Sequence, residues 1–283
     1  MTERALTDSA RLPFDCRHDG GPFDIIGDVH GCAGELEVLL VRLGYRVHWS
    51  GTPRDVRVDV VPPKGRRAIF VGDLVDRGPR SPDTLRLVMA MVESGAALAV
   101  PGNHDIKFVR WLDGKAVAPT HGLDRTIQQF DAETTAFRTA VRTFFNQAPF
   151  HLWLDEGRLA VAHAGIKEEM IGQMSGEARR FCLYGETSGE TDKLGLPIRY
   201  HWAAEYRGRT AVVYGHTPVP DAGWVNNTMC IDTGCCFGGK LTALRWPERQ
   251  VVSVAAEQIY TMPVRAFGHP PLRPGALVSS ASD

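Results

Sequence analysis

The sequence predicts an α/β fold with a mixed sheet system, and a repeated pattern carries that expectation. Six times a short apolar run leads into a glycine-containing turn bearing a charged, amide or imidazole residue: FDIIGDVHG, AIFVGDLVDRG, LAVPGNHD, LAVAHAGI, AVVYGHT and MCIDTGC. Runs this short, rich in β-branched residues, fit buried strands better than helices. Helical spacing fills several of the early gaps between them. Residues 210–257 read instead as consecutive strands, which makes the sheet system mixed.

Taken in order, the first strand ends in Asp28 and His30 and is followed by CAGELEVLLVRLGY. There Leu36, Leu39, Leu40 and Leu43 fall on one helical face, and Gly44 is a suitable stop. The next strand ends in Asp73, Asp76 and Arg77, and SPDTLRLVMAMVESG then offers Ser81 as N-cap before Pro82, with Gly95 at the end. Asn103 and His104 follow the third run. Residues 114–150 are expected to form a helical cover beside the site, and LYGETSGETDKLGLPIRYHW a second, irregular wall. His163 and His216 close two later strands. GCCFGGKL resembles a phosphate loop, but Leu241 replaces the required hydroxyl and LTALRW reads as a strand, so a tight turn is expected. Residues 1–22 are expected to be an arm, 23–262 the domain, and 263–283, rich in Pro, Gly, Ser and Ala, a flexible tail.

Composition narrows the classes. A chain of 283 residues, 43% hydrophobic and 23% charged, can bury a substantial core. A formal net charge of −1 provides no strong basic field, so binding to long duplex nucleic acid is not expected. No apolar run approaches the roughly 20 residues that span a bilayer, and the start lacks a signal peptide's apolar region. Six cysteines without a CxxC pair predict reduced thiols in a cytoplasmic protein; Cys235 and Cys236 are expected to serve packing, pointing to opposite faces if that stretch is extended.

In open α/β sheets, ligands gather outside the carboxyl ends of the strands. In an extended segment, residues two apart project to one side, so Asp28 and His30 can grip one ion together. Asp73 has two carboxylate oxygens and can bridge to a second ion, whose shell Asn103, His163 and His216 would complete. Carboxylate, amide and imidazole ligands suit manganese, iron, zinc or nickel, manganese being the first expectation. Two ions about 3.5–4 Å apart clamp the oxygens of an in-line displacement and make hydroxide available near neutral pH. Arg77 can offer a planar fork of donors to a phosphoryl group. His104 is the candidate acid for the leaving group, oriented by Asp76. Asp105 is expected to be a loop cap. His18, His48, His151, His201 and His269 lack the pattern, and His121 is the one to watch as a pocket residue.

GDVHG, GDLVDRG, GNHD, HAG and GHT, in this order, resemble the calcineurin-like metallophosphoesterases, in the branch of phosphoprotein phosphatases and diadenosine tetraphosphatases. The resemblance implies two packed mixed β-sheets flanked by helices. It also implies a dimetal site with Asp28, His30 and Asp73 on one ion and Asp73, Asn103, His163 and His216 on the other. By the same resemblance, Arg77 holds phosphate and His104 with Asp76 forms an acid dyad. GPFDIIGDVHGC, LYGETSGETD, AAEYRGR and VVYGHTPVP are further similar to the phosphatase module of bacterial polynucleotide kinase-phosphatase, which removes phosphate from RNA ends. The chain has neither that enzyme's kinase phosphate loop nor its KxDG ligase signature.

The expected function is therefore a two-metal phosphoesterase acting on a small phosphorylated substrate or an RNA end (2′,3′-cyclic, 2′- or 3′-phosphate). The alternatives are asymmetrical bis(5′-nucleosyl)-tetraphosphatase and serine/threonine phosphoprotein phosphatase. The alternative from another class is a noncatalytic module that binds phosphorylated ligands. Oligomeric state stays open.

Overall fold

A computed structural model describes residues 14–52, 55–193 and 195–275. In chain order these begin with β1 (Asp15–Cys16), β2 (Phe23–Ile26), α1 (Ala33–Leu43), β3 (Arg46–Thr52), β4 (Asp55–Val61), β5 (Arg67–Phe70), α2 (Ser81–Glu93), β6 (Ala97–Ala99) and α3 (Asn103–Leu112). Then come α4 (Leu123–Phe130), α5 (Thr135–Gln147), β7 (His151–Leu154), β8 (Leu159–Ala162), α6 (Gly176–Tyr184), β9 (Thr187–Thr191), β10 (Pro197–Arg199) and β11 (Ala211–Tyr214). The last strands are β12 (Trp224–Val225), β13 (Thr228–Cys230), β14 (Asp232–Thr233), β15 (Lys240–Trp246) and β16 (Gln250–Ala255).

Two mixed sheets carry the fold. One has the order β14-β15-β2-β5-β6, with β16 on β15, and the other β1-β7-β8-β11-β13-β12. In the first, β2, β5 and β6 are parallel neighbours and β15 runs against them. In the second, β8, β11 and β13 are parallel.

Alternation along each strand separates three cores. Phe23, Ile25 and Ile69 meet Leu159, Val161 and Val213 between the sheets. Ile26, Ala68 and Phe70 face α1, α2 and α3 through Leu36, Leu40, Val88 and Phe108. Ala160, Ala162 and Val212 face α6 through Phe181 and Leu183. The result is helix on sheet on sheet on helix, the predicted sandwich. All six cysteines are buried. Among the described residues no helix is long and apolar enough to cross a membrane.

α1 ends at Gly44, left-handed at φ 97°, as expected. Ser81 is not the N-cap of α2; Arg80 holds that position, and Ser81 is the first helical residue. The Ser81 N–H finds its acceptor elsewhere, donating to Oε1 of Gln129 at 2.7 Å. The side chain from α4 thus supplies what a cap would. Cys235 and Cys236 pack as expected: the stretch is a short 3-10 turn, not extended chain, and both join the core under α1. GCCFGGKL is the turn between antiparallel β14 and β15. The cover over 114–150 contains α4 and α5. The second wall is not irregular: β9 and β10 pair as an antiparallel hairpin. Asp15 and Cys16, in the expected arm, add an edge strand beside β7. Residues 1–13 and 276–283 lie outside the described residues.

Ile69 is fully buried between the sheets, whereas Val38 on α1 is 50% exposed. Ile69→Ala is expected to lower unfolding free energy in urea by about 3 kcal/mol, and Val38→Ala to change it by less than about 0.5 kcal/mol.

Candidate dimetal centre

Every predicted site residue sits just beyond the carboxyl end of a parallel strand. Asp28 and His30 follow β2, and Asp73, Asp76 and Arg77 follow β5. Asn103 and His104 open α3 after β6, His163 follows β8, and His216 follows β11. Five of these residues adopt left-handed backbone: His30 (φ 47°), Asp73 (49°), Asp76 (74°), Arg77 (69°) and His216 (75°). Such conformations cost about 1–3 kcal/mol each and persist where surrounding structure dictates them, as at functional sites.

Asp73 is the centre of the arrangement. Its Oδ2 lies 3.5 Å from Nε2 of His30 and its Oδ1 3.5 Å from Nε2 of His163. Two groups of donor atoms, each within 4.8 Å of one another, contain it: His30, Asp73 and His104, and Asp73, His163 and His216. Asp28 is in neither group. Its carboxylate accepts the backbone N–H of His216 at 3.0 Å. Gly215 permits that approach, since a Cβ there would stand 1.8 Å from Oδ1 of Asp28.

Backbone acceptors orient the imidazoles. Nδ1 of His30 donates to Val75 O at 2.8 Å, and Nδ1 of His163 to Val71 O at 3.1 Å. Both rings therefore turn Nε2 to the centre. Arg77 donates to Nε2 of His30 at 2.6 Å and to Nε2 of His104 at 2.9 Å. Nδ1 of His104 donates to Oδ2 of Asp76 at 2.6 Å, and Oδ1 of Asp76 accepts the Thr126 hydroxyl at 2.7 Å. Asp105 is the cap foreseen for it. It accepts from Leu74 N at 2.9 Å and Gly102 N at 2.8 Å, tying the Asp73 loop to α3.

Three relevant residues escaped the sequence reading. Thr126 lies on α4, fifty positions from Asp76 in the chain, and nothing local marks it. Asp232 stands in MCIDTGC, one of the recurring segments, and that position was its signal; it is buried and charge-coupled to Asp28. Arg199 ends β10 and lines a cavity with His216, Tyr184, His201 and His269. Its buried Nε has no hydrogen-bond partner among the described residues. His121 is exposed with left-handed backbone, and the charges of Lys107, Arg77 and Asp76 act on it, which puts it at the rim.

Burial dominates the protonation states. Burial and the Asp232 and Asp73 carboxylates hold Asp28 well above the usual carboxylate range. Burial lifts Asp232 to about 6 and Asp76 to about 7. Burial also opposes ionisation of Asp73, but His163, His104 and Arg77 outweigh it and its pKa is lowered. Burial, then Arg77, pushes His30 well below the imidazole range; burial, then Arg199, does the same to His216. Burial takes His104 down to about 3.

The donor set fits divalent cations. Nε2 of His163 is an acceptor, because its proton is on Nδ1, yet it faces the Asn103 Oδ1 acceptor at 3.1 Å. Nδ1 of His216 lies 3.0 Å from the same nitrogen, so three groups with lone pairs converge where a cation could sit. Neutral imidazoles, an amide oxygen and clustered buried carboxylates are ligands for borderline divalent ions.

The family model for calcineurin-like phosphoesterases matches residues 21–250. The chain belongs to that family. Phosphoesterases of this kind use a dinuclear divalent metal site, and the chain is a metal-dependent phosphoester hydrolase. It is 44% identical over 242 residues to an asymmetrical bis(5′-nucleosyl)-tetraphosphatase PrpE of Anoxybacillus flavithermus, covering 84% of this chain and 96% of the relative. Its identity to the PrpE tetraphosphatase of Geobacillus thermodenitrificans is 46% over 235 residues, 82% and 93% of the two chains. Among solved structures, a candidate diadenosine tetraphosphatase superposes with TM-score 0.60 at 23% identity, covering 86% of this chain and 96% of that one. A serine/threonine phosphatase from Saccharomyces cerevisiae superposes with TM-score 0.56 at 12% identity, covering 90% and 84%. These two likenesses concern the fold.

Gly215→Ala would push the Asp28 carboxylate away from the phosphoesterase site. Elemental analysis after loading with manganese and desalting is expected to show that this variant retains less metal per chain than the parent. Asp73→Ala, which removes the residue common to both donor groups, is expected to retain the least.

Proposed function

We propose that the protein hydrolyses dinucleoside tetraphosphates asymmetrically, with two divalent ions, manganese foremost, held by Asp28, His30, Asp73, Asn103, His163 and His216. Bound there, the ions supply Lewis-acid charge and lower the pKa of water. The observation that carries the reading is a pair of arginines around one buried carboxylate cluster. The charges of Arg77 and Arg199 both act on Asp73 and Asp232. Arg77 contacts the His30 and His104 rings, while Arg199 shares a cavity with His216. Two separated cations suit a substrate with several phosphates better than a monoester. The asymmetrical tetraphosphatase names of the 44% and 46% identical relatives support the same substrate class.

In this reading Arg77 holds the reacting phosphoryl group with its planar fork. Arg199 takes one oxygen of a neighbouring phosphate, which compensates a guanidinium whose Nε is otherwise buried without a partner among the described residues. His104, fixed by Asp76 and Thr126, can hand a proton to the leaving group once an anionic substrate draws the Arg77 charge onto its phosphate and so favours the protonated ring.

RNA-end phosphates are the second reading, favoured by the wall of the cavity: Tyr184, Gly185 and Glu186 belong to LYGETSGETD, the segment shared with the end-healing module. The leaving groups separate the two. A nucleotide leaves readily, whereas a ribose alkoxide requires protonation.

Incubation with manganese and diadenosine tetraphosphate is expected to yield AMP and ATP in equal amounts. Two ADP molecules, or turnover confined to RNA 3′ ends or a phosphopeptide, would overturn the substrate assignment. His104→Ala is expected to lower turnover of alkyl phosphates by about a hundredfold or more, and that of nitrophenyl phosphate by far less. Equal losses would remove His104 from the acid role.

A further inference from the structure

Residues 257–275 lie beyond the part of the chain that matches the family, yet they cross the site-bearing loops in succession. Tyr260 donates its hydroxyl to Oε1 of Glu35 at 2.8 Å, and its backbone N–H to Cys236 O at 3.1 Å. The Thr261 hydroxyl reaches Arg77 O at 3.4 Å. Phe267 packs 6.0 Å from the ring of Phe237, which itself lies under the Arg77 guanidinium at 4.9 Å. Gly234 accommodates Phe267: a Cβ there would meet the ring at 2.4 Å. Gly268 N donates to Pro218 O at 2.8 Å, two residues past His216. His201 N donates to Pro271 O at 2.9 Å, and the His201 and His269 rings stack at 4.2 Å with planes 10° apart. Arg273 pairs with Glu205 at 3.0 Å.

The segment therefore supplies one side of the cavity that holds His216 and Arg199. Within that cavity, Nε of Arg199, Nε2 of His201 and Nε2 of His216 are buried without hydrogen-bond partners among the described residues. Its volume is about 20 Å³, with His269 and Pro270 in the lining. That is room for about one water, and no room for a nucleobase or an aryl ring. The lining is cationic and polar where it meets the metal-binding histidine.

We propose that residues 263–275 are a specificity wall, which closes the His216 side of the cleft to bulky substituents and leaves space there for a small anionic group such as a phosphoryl oxygen. The wall acts through His269, whose ring is seated on His201, and through Pro270. It rests on the phosphate-ester chemistry assigned to the cleft, and narrows which esters that chemistry reaches. Substrates present their bulky groups from the Arg77 side, where His121 marks an exposed rim. His269 and Pro270 are positioning residues that shape the cleft and take no part in bond breaking.

The test compares kcat/KM for p-nitrophenyl phosphate, which has one aryl group, and bis(p-nitrophenyl) phosphate, which has two, in the full chain with manganese. His269→Ala is expected to raise the diester-to-monoester ratio by about tenfold, the scale on which a small change in pocket volume discriminates. His269→Phe, which keeps a flat ring over His201, is expected to restore the parent ratio. Pro270→Ala is expected to shift the ratio in the same direction as His269→Ala, and decides the matter if the latter variant does not fold. An unchanged ratio in a folded His269→Ala or Pro270→Ala protein, checked by thermal melting, overturns the wall. A parent protein inert toward both esters would instead overturn the assignment of the cleft.

Discussion

A single buried carboxylate governs this architecture. Asp73 turns one oxygen toward His30 and the other toward His163, and so joins residues carried by two different sheets. It is held in left-handed backbone, and its Oδ1 also accepts the His104 N–H at 2.9 Å. For both sheets to reach it, the loops must come nearer than side chains allow. At Gly102 a Cβ would stand 2.0 Å from Oδ1 of Asp73. The glycine that opens GNHD is thus a condition for closing loops around a carboxylate, and Gly215 of GHT meets the same condition around Asp28.

The sandwich exists to hold that junction. Parallel strands in both sheets end at one edge, so their following loops converge without long excursions. The cores between the sheets and beneath both helix layers hold the strand ends rigid. That rigidity maintains left-handed conformations at five site residues and keeps several carboxylates together out of water. Like charges buried at such distance destabilise the ion-free protein, which is why burial pushes Asp28 and Asp232 toward their neutral forms. The same crowding makes the centre a strong attractor for divalent cations.

Much of this was legible in the chain because the relevant signals are local. A strand of three or four residues followed by a turn with glycine and a ligand-type side chain is a short word, and the structure places Asp28, His30, Asp73, Asn103, His163 and His216 just beyond such strands, whereas Asp232 in MCIDTGC went unassigned. α1 was equally plain, since its leucines lie on one helical face and Gly44 stops it. Ser81 misled because its composition is that of a cap; the acceptor for its N–H comes from Gln129, which is remote in sequence. The hairpin of β9 and β10 carries no readable alternation, because β9 is exposed along almost its whole length and β10 spans only three residues.

The amino-acid sequence by itself determined the layered α/β class, the family, and the residue types at each strand end, because those depend on periodicity and on motifs a few residues long. Tertiary structure alone decided that Thr126 would steady Asp76 and that Arg199 would share a cavity with His216, its Nε unpartnered among the described residues. It also decided that residues 263–275 would lie across the mouth of the site. These are contacts between positions far apart in the chain. Their partners are selected by how packed layers bring surfaces together, and no window of neighbouring residues contains that information.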